Sequence, residues 1–75
     1  MNNRILQRLE TFFDIEVVKE KFPEVQDEME LGVLILRSNN CSYATIQRWL
    51  GNPSKKWIRK VLLKWSPELI DIKTE

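Results

Sequence analysis

Along almost the whole chain, apolar residues return at steps of three and four, the spacing that gathers them on one side of an α-helix. Ile5, Leu6, Leu9, Phe12 and Phe13 predict a first helix beginning near Asn2 or Asn3. Asp14 is placed to cap a short second helix with apolar positions Val17, Val18 and Phe22. Pro23 then forces a break, because proline suits only the first turn of a helix. Val25, Met29, Gly32, Val33 and Leu36 form the single stripe of a third helix. Its acids Glu24, Asp27, Glu28 and Glu30 stand at the N-terminal end, where the helix dipole favours them.

Asn39 and Asn40 end that helix, since Asn tolerates the left-handed backbone that helix ends often need. Ser42 is a good N-cap for residues 43–50, and Gly51 closes this short helix. Asn52 is expected to cap the next, with Pro53 in its first position, so that a basic helix covers residues 53–65. Ser66, Pro67 and Glu68 repeat the device before a last turn bearing Leu69, Ile70 and Ile72. No alternating segment is long enough to predict a strand, and no hairpin follows the basic helix to make a wing. The expected fold is therefore all-α, about five short helices in a single domain over residues 1–75. It divides into an acidic helical scaffold (1–41), a basic helix pair (42–66) and a C-terminal turn (67–75).

Length limits that fold to one small core, worth roughly 3 to 5 kcal/mol of net stability. Hydrophobic residues at 43% and charged residues at 31% are ordinary for globular chains and argue against disorder along the whole length. The longest apolar run, Leu31 to Leu36, is too short to span a bilayer, and Met1 to Arg4 lacks the apolar stretch of a signal peptide. Cys41 has no second cysteine to pair with, and the absence of His removes the usual zinc and haem ligand sets. A metal-free intracellular protein is expected, in the cytoplasm or associated with the chromosome, with no membrane partner. With no His, no phosphate-cradling Gly loop and no nucleophile beside a base, neither an enzyme, a cofactor nor a small-molecule substrate is expected. Cys41 reads as a half-buried small residue.

Charge changes the picture more than composition does. A formal net charge of +1 conceals five cations against eight acids in residues 1–41, a balance of −3, and −2 in the tail from Pro67. Between them, residues 42–66 hold Arg48, Lys55, Lys56, Arg59, Lys60 and Lys64 with no acid, a balance of +6. Such a dipole biases how a small protein meets a polyanion. The carboxylates Asp14, Glu16, Glu20, Glu24, Asp27, Glu28 and Glu30 are expected to be a solvated face; their sharper reading is a patch for a basic partner or second subunit. On a helical projection Trp57, Ile58, Val61, Leu62 and Trp65 share one side, and Lys56, Arg59 and Lys60 share the other, with Lys55 and Lys64 at the margins. Leu63 falls among the cations, which points to contact with a thymine methyl, a subunit or the C-terminal turn folding back. Trp49, Trp57 and Trp65 read first as core filling and second as platforms for unpaired bases.

The run Ile46, Gln47, Arg48, Trp49, Leu50, Gly51, Asn52, Pro53, Ser54, Lys55, Lys56, Trp57 resembles the helix, glycine turn and recognition helix of the helix-turn-helix DNA-binding superfamily, in its sigma-factor-like and homeodomain-like members. The likeness covers about a third of the chain. It departs from that pattern at Gln47, where a small residue such as Ala is usual, and at Trp57, where Val or Ile is usual; Ala44 is placed to supply a close approach one turn earlier. The resemblance implies that helix 53–65 lies in the major groove of double-stranded DNA with its N-terminal residues at base edges. Ser54, Lys55, Lys56 and Arg59 would then face bases, Arg59 bonding a guanine edge twice, while Lys60 and Lys64 reach phosphates. Tyr43, Thr45, Gln47 and Arg48 would meet the backbone beside Asn52 in the turn. A small transcriptional regulator, or a phage, plasmid or mobile-element DNA-binding protein, is implied, paired with a second copy or a protein partner. The alternative is an adaptor that docks onto transcription or replication machinery through this surface or the acidic half, and Leu63 is the residue that favours it.

Overall fold

The computed structural model describes residues 4–72. Five helices, α1 (Arg4–Phe12), α2 (Ile15–Lys21), α3 (Glu28–Ser38), α4 (Tyr43–Leu50) and α5 (Lys55–Trp65), are followed by a 3-10 turn at Pro67–Leu69. Among the described residues there is no strand. The expected start of the first helix at Asn2 or Asn3 lies outside the described residues.

The chain is built around α3. Every residue from Leu31 to Arg37 is buried, and α1, α2, α4 and α5 all pack against this one helix. A helix apolar on all sides is one enclosed by its neighbours, so the expected single stripe understates it: Leu31, Leu34 and Ile35 belong to the core as fully as Val33 and Leu36. Gly32 sets the closest approach. A Cβ there would lie 3.0 Å from Leu50 Cδ2, 3.5 Å from Ile5 Cγ2 and 3.6 Å from Leu9 Cδ1, so α1 and α4 both seat in the space its missing side chain leaves. Ala44, expected to provide such an approach, is instead exposed.

Local sequence explains most boundaries. Asp14 Oδ1 accepts from the Glu16 amide at 3.2 Å and starts α2, as expected. The buried positions of α2 are Ile15 and Val18, followed by Phe22; Val17 is 59% exposed, because it lies one residue, about 100° of rotation, from that stripe. Phe12 likewise leaves the expected apolar face and is 69% exposed. Helix α3 begins later than Val25, which is buried in the preceding connection; Asp27 caps it, accepting from Met29 at 2.8 Å and Glu30 at 3.3 Å. Asn39 and Asn40 end it as expected: Asn39 Nδ2 donates to the Ile35 carbonyl at 2.8 Å, and Asn40 is left-handed at φ 64°.

One buried charge ties the two ends of this core together. Arg37 is 4% exposed, and its guanidinium donates from Nε to the Leu69 carbonyl (2.7 Å), from Nη2 to Ile70 (2.9 Å) and from Nη1 to Cys41 (3.0 Å). It also lies 4.7 Å over the Tyr43 ring. The C-terminal turn is thus pinned to α3 and not folded over Leu63, which stays 54% exposed. Ser66 precedes that turn, as expected, though its side chain makes no capping bond there.

Candidate nucleic-acid interface

The basic segment folds as two helices joined by a tight turn whose every residue has a mechanical role. Ser42 caps α4 by accepting from the Thr45 amide at 3.2 Å. Gly51 ends it at φ 82°, and Asn52 follows at φ 68° with its amide donating to the Gln47 carbonyl at 2.7 Å. Two successive left-handed residues leave no place for a helix start, because an N-cap needs extended backbone. The expected cap at Asn52 and the first position at Pro53 are therefore corrected: Ser54, at φ −70° and ψ 149°, accepts from the Trp57 amide at 3.0 Å, and α5 runs from Lys55 to Trp65 in place of 53–65. Gln47 Nε2 donates to the Pro53 carbonyl at 2.9 Å. The long amide at this position thus serves as a strut across the turn.

Helix α5 divides cleanly. Ile58, Val61 and Leu62 are buried, each contributing roughly 1.5 to 3 kcal/mol of apolar burial, and Trp57 and Trp65 are half-buried beside them. Lys55, Lys56, Arg59, Lys60 and Lys64 are exposed, with Leu63 among them. Lys55, Lys56, Arg59 and Lys60, together with Arg48 on α4, have no ion-pair or hydrogen-bond partner among the described residues. Lys64 differs: its Nζ lies 3.9 Å from Glu30 Oε2 and 5.0 Å from the Trp65 ring centroid. Glu30 also accepts from Trp65 Nε1 at 2.9 Å, which fastens α5 to α3 and removes this carboxylate from the expected solvated face. Asp14 and Asp27 cap their helices while staying exposed on that face.

The expected contact residues fall into two groups. Arg48, Asn52, Ser54, Lys55, Lys56, Arg59, Lys60 and Lys64 are exposed around the turn and along α5. Tyr43, Thr45 and Gln47 are half-buried and engaged internally: Tyr43 under Arg37, Thr45 Oγ1 at 3.1 Å from Ser42 Oγ, and Gln47 on Pro53. Trp49 is held edge-on by Phe12 (5.5 Å between centroids) and Phe13 (6.0 Å), with the Arg8 guanidinium 5.2 Å over its ring. Trp57 and Trp65 pack against the buried cluster as core filling requires.

Two cations absent from the sequence reading of this surface, Arg4 and Arg8, line a hollow with Trp49 and Gly51. Their spacing of four residues on α1 was the available signal, hidden by the acidic balance of the N-terminal half. Cys41 is half-buried; desolvation pushes its thiol pKa up, against the opposing pull of the Arg37 charge. Among the described residues no cluster of Cys, Asp and Glu could hold a metal ion, and no helix is long and apolar enough to cross a membrane. No family model matches the chain, and no curated protein or solved structure matches it.

Proposed function

We propose that this chain is a small DNA-binding protein that lays α5 in the major groove of double-stranded DNA. The observation that carries this reading is the division of α5: one side built into the core, the other presenting Lys55, Lys56, Arg59 and Lys60 with no carboxylate partner. Cations left unpaired beside available acids in the same small chain are costless to solvent and valuable to a polyanion, whose condensed counterions they release. The rigid turn supports the same reading, since Gln47, Gly51 and Ser54 fix how far the N-terminal end of α5 projects. In that role the protein acts as a transcriptional regulator or as a DNA-binding protein of a phage, plasmid or mobile element, associated with the chromosome in the cytoplasm. It is not an enzyme and works with a second copy or a protein partner.

Arg59 is the residue for base reading, bonding a guanine edge with two hydrogen bonds, while Lys60 and Lys64 reach phosphates. The alternative, an adaptor for transcription or replication machinery, draws on Leu63, which is 54% exposed on the cationic side. The two readings part on a pair of variants assayed on a selected DNA site. Under the DNA reading Arg59→Ala costs about 1 to 3 kcal/mol of binding and relaxes base preference at one position. Loss of function at Leu63→Ala with an intact Arg59→Ala would transfer the assignment to the adaptor.

A further inference from the structure

The surface around the α4–α5 turn carries cations that α5 does not supply. One hollow beside Gly51 is lined by Arg4, Ile5, Arg8, Trp49 and Leu50, and a second by Ala44, Gln47, Arg48 and Asn52. Gly51 belongs to both, so the two adjoin at the turn, and among the described residues no carboxylate lines either one. A Cβ built at Gly51 would meet nothing within 4 Å, so the backbone there is open to close approach from outside.

Arg8 is held in place by its neighbours. Its guanidinium lies 5.2 Å over the Trp49 ring, and that ring is fixed by edge contacts to Phe12 and Phe13. A side chain already ordered by stacking loses less freedom when it binds, which favours a planar, two-pronged contact to an anion. The same arrangement works against base stacking on Trp49, because Arg8 occupies a ring face and the two Phe rings hold it from the side.

We infer that this ridge, with Arg8 in one hollow beside Gly51 and Arg48 in the other, is a second seat for the DNA backbone. It takes a phosphodiester of the strand bordering the groove that α5 enters. Guanidinium forks match phosphate oxygens bidentately, and the missing side chain at Gly51 lets the chain and the sugar-phosphate backbone come close. This inference rests on the DNA reading of α5, and the ridge widens the contact beyond the recognition helix to α1.

The test is the salt dependence of affinity for a labelled random 20-base-pair duplex, measured on the full chain and its variants between about 50 and 200 mM salt. Arg8→Gln should make the log–log slope shallower by roughly 0.9 and weaken binding roughly fivefold to tenfold at 100 mM, with base preference unchanged. Arg8→Lys should keep the slope. Gly51→Asn, whose side chain tolerates a positive φ, should weaken binding by filling the open space while the far-ultraviolet circular dichroism stays the same. Lys19→Gln, on α2 and paired with Glu16, should change neither slope nor affinity. If Lys56→Glu with Arg59→Glu abolishes binding while Arg8→Gln keeps the original slope, the ridge is no backbone seat although α5 is. If the unaltered chain shows no salt-dependent binding, both readings fall.

Discussion

Arg37 and Arg59 are the same residue type on two helices of equal length, yet they do opposite things. On α3 the Arg37 guanidinium is enclosed, its donors committed to the carbonyls of Cys41, Leu69 and Ile70 and its face to Tyr43. On α5 the Arg59 guanidinium stands in solvent with no partner among the described residues. The helices differ in the same way: α3 is surrounded by four others, whereas α5 buries one side and leaves the other to a stripe of cations. A count of charges treats the two arginines alike. What separates them is whether backbone carbonyls of the same chain reach the cation first.

Replacing the enclosed cation breaks that comparison most severely. Arg37→Met removes three hydrogen bonds and releases the C-terminal turn, so unfolding free energy should fall by about 2 to 4 kcal/mol, most of what a core this size supplies. Arg59→Met should stay within about 0.5 kcal/mol of the parent. Urea titration of both variants gives the ratio, and equal losses would remove the distinction between the helices. Trp65→Phe, which leaves the Glu30 carboxylate without its indole donor, should cost about 1 to 2 kcal/mol. A double-mutant cycle with Glu30→Gln should return a coupling that isolates this link between α3 and α5.

A smaller effect sharpens the boundary of α5. Ser54→Ala should cost about 1 kcal/mol through the lost cap, whereas Asn52→Gly should be neutral or slightly stabilising because Asn52 is left-handed. The reverse order in thermal melts would restore the cap to Asn52. The smallest effect concerns Cys41. Burial raises its pKa, so as pH climbs through the ordinary thiol value of 9.0 the unfolded chain ionises first and the folded state loses stability. Slow alkylation of the folded chain at neutral pH, with a Cys41→Ser variant lacking the alkaline decline, checks both the direction and its source.

Much of this architecture is legible in the sequence because local chemistry decides it. Asp14, Ser42, Gly51 and the Asn39–Asn40 pair each act through their own backbone neighbourhood, and each does what its residue type implies. Misreadings arose where a local signal had two equally good users. Asn52 and Ser54 are both competent caps two residues apart, and only the left-handed φ of Asn52, imposed by the Gly51 turn, decides between them. The single stripe assigned to α3 failed because enclosure by four helices is a property of the assembled chain, and periodicity reports one face at a time. Arg37, Glu30 and the Arg8–Trp49 pair share a further reason. Their partners lie 32 to 41 positions away, at Leu69, Trp65 and Trp49, beyond the reach of any spacing rule. For Lys55, Lys56, Arg59 and Lys60 of α5, by contrast, the amphipathic pattern sufficed, because they have no partner among the described residues to discover.

Fluorescence anisotropy decides whether the side of α5 bearing Lys56 and Arg59 serves DNA. A labelled random duplex is titrated with the chain at about 50 and 200 mM salt, beside a Lys56→Glu, Arg59→Glu variant of matched thermal stability. Binding that weakens by two orders of magnitude or more across this range, with a log–log slope of roughly −4 to −6, and that disappears in the variant is the predicted result. Absence of binding at 50 mM salt, or equal affinity in the variant, would contradict it and leave α5 a solvated or protein-docking face.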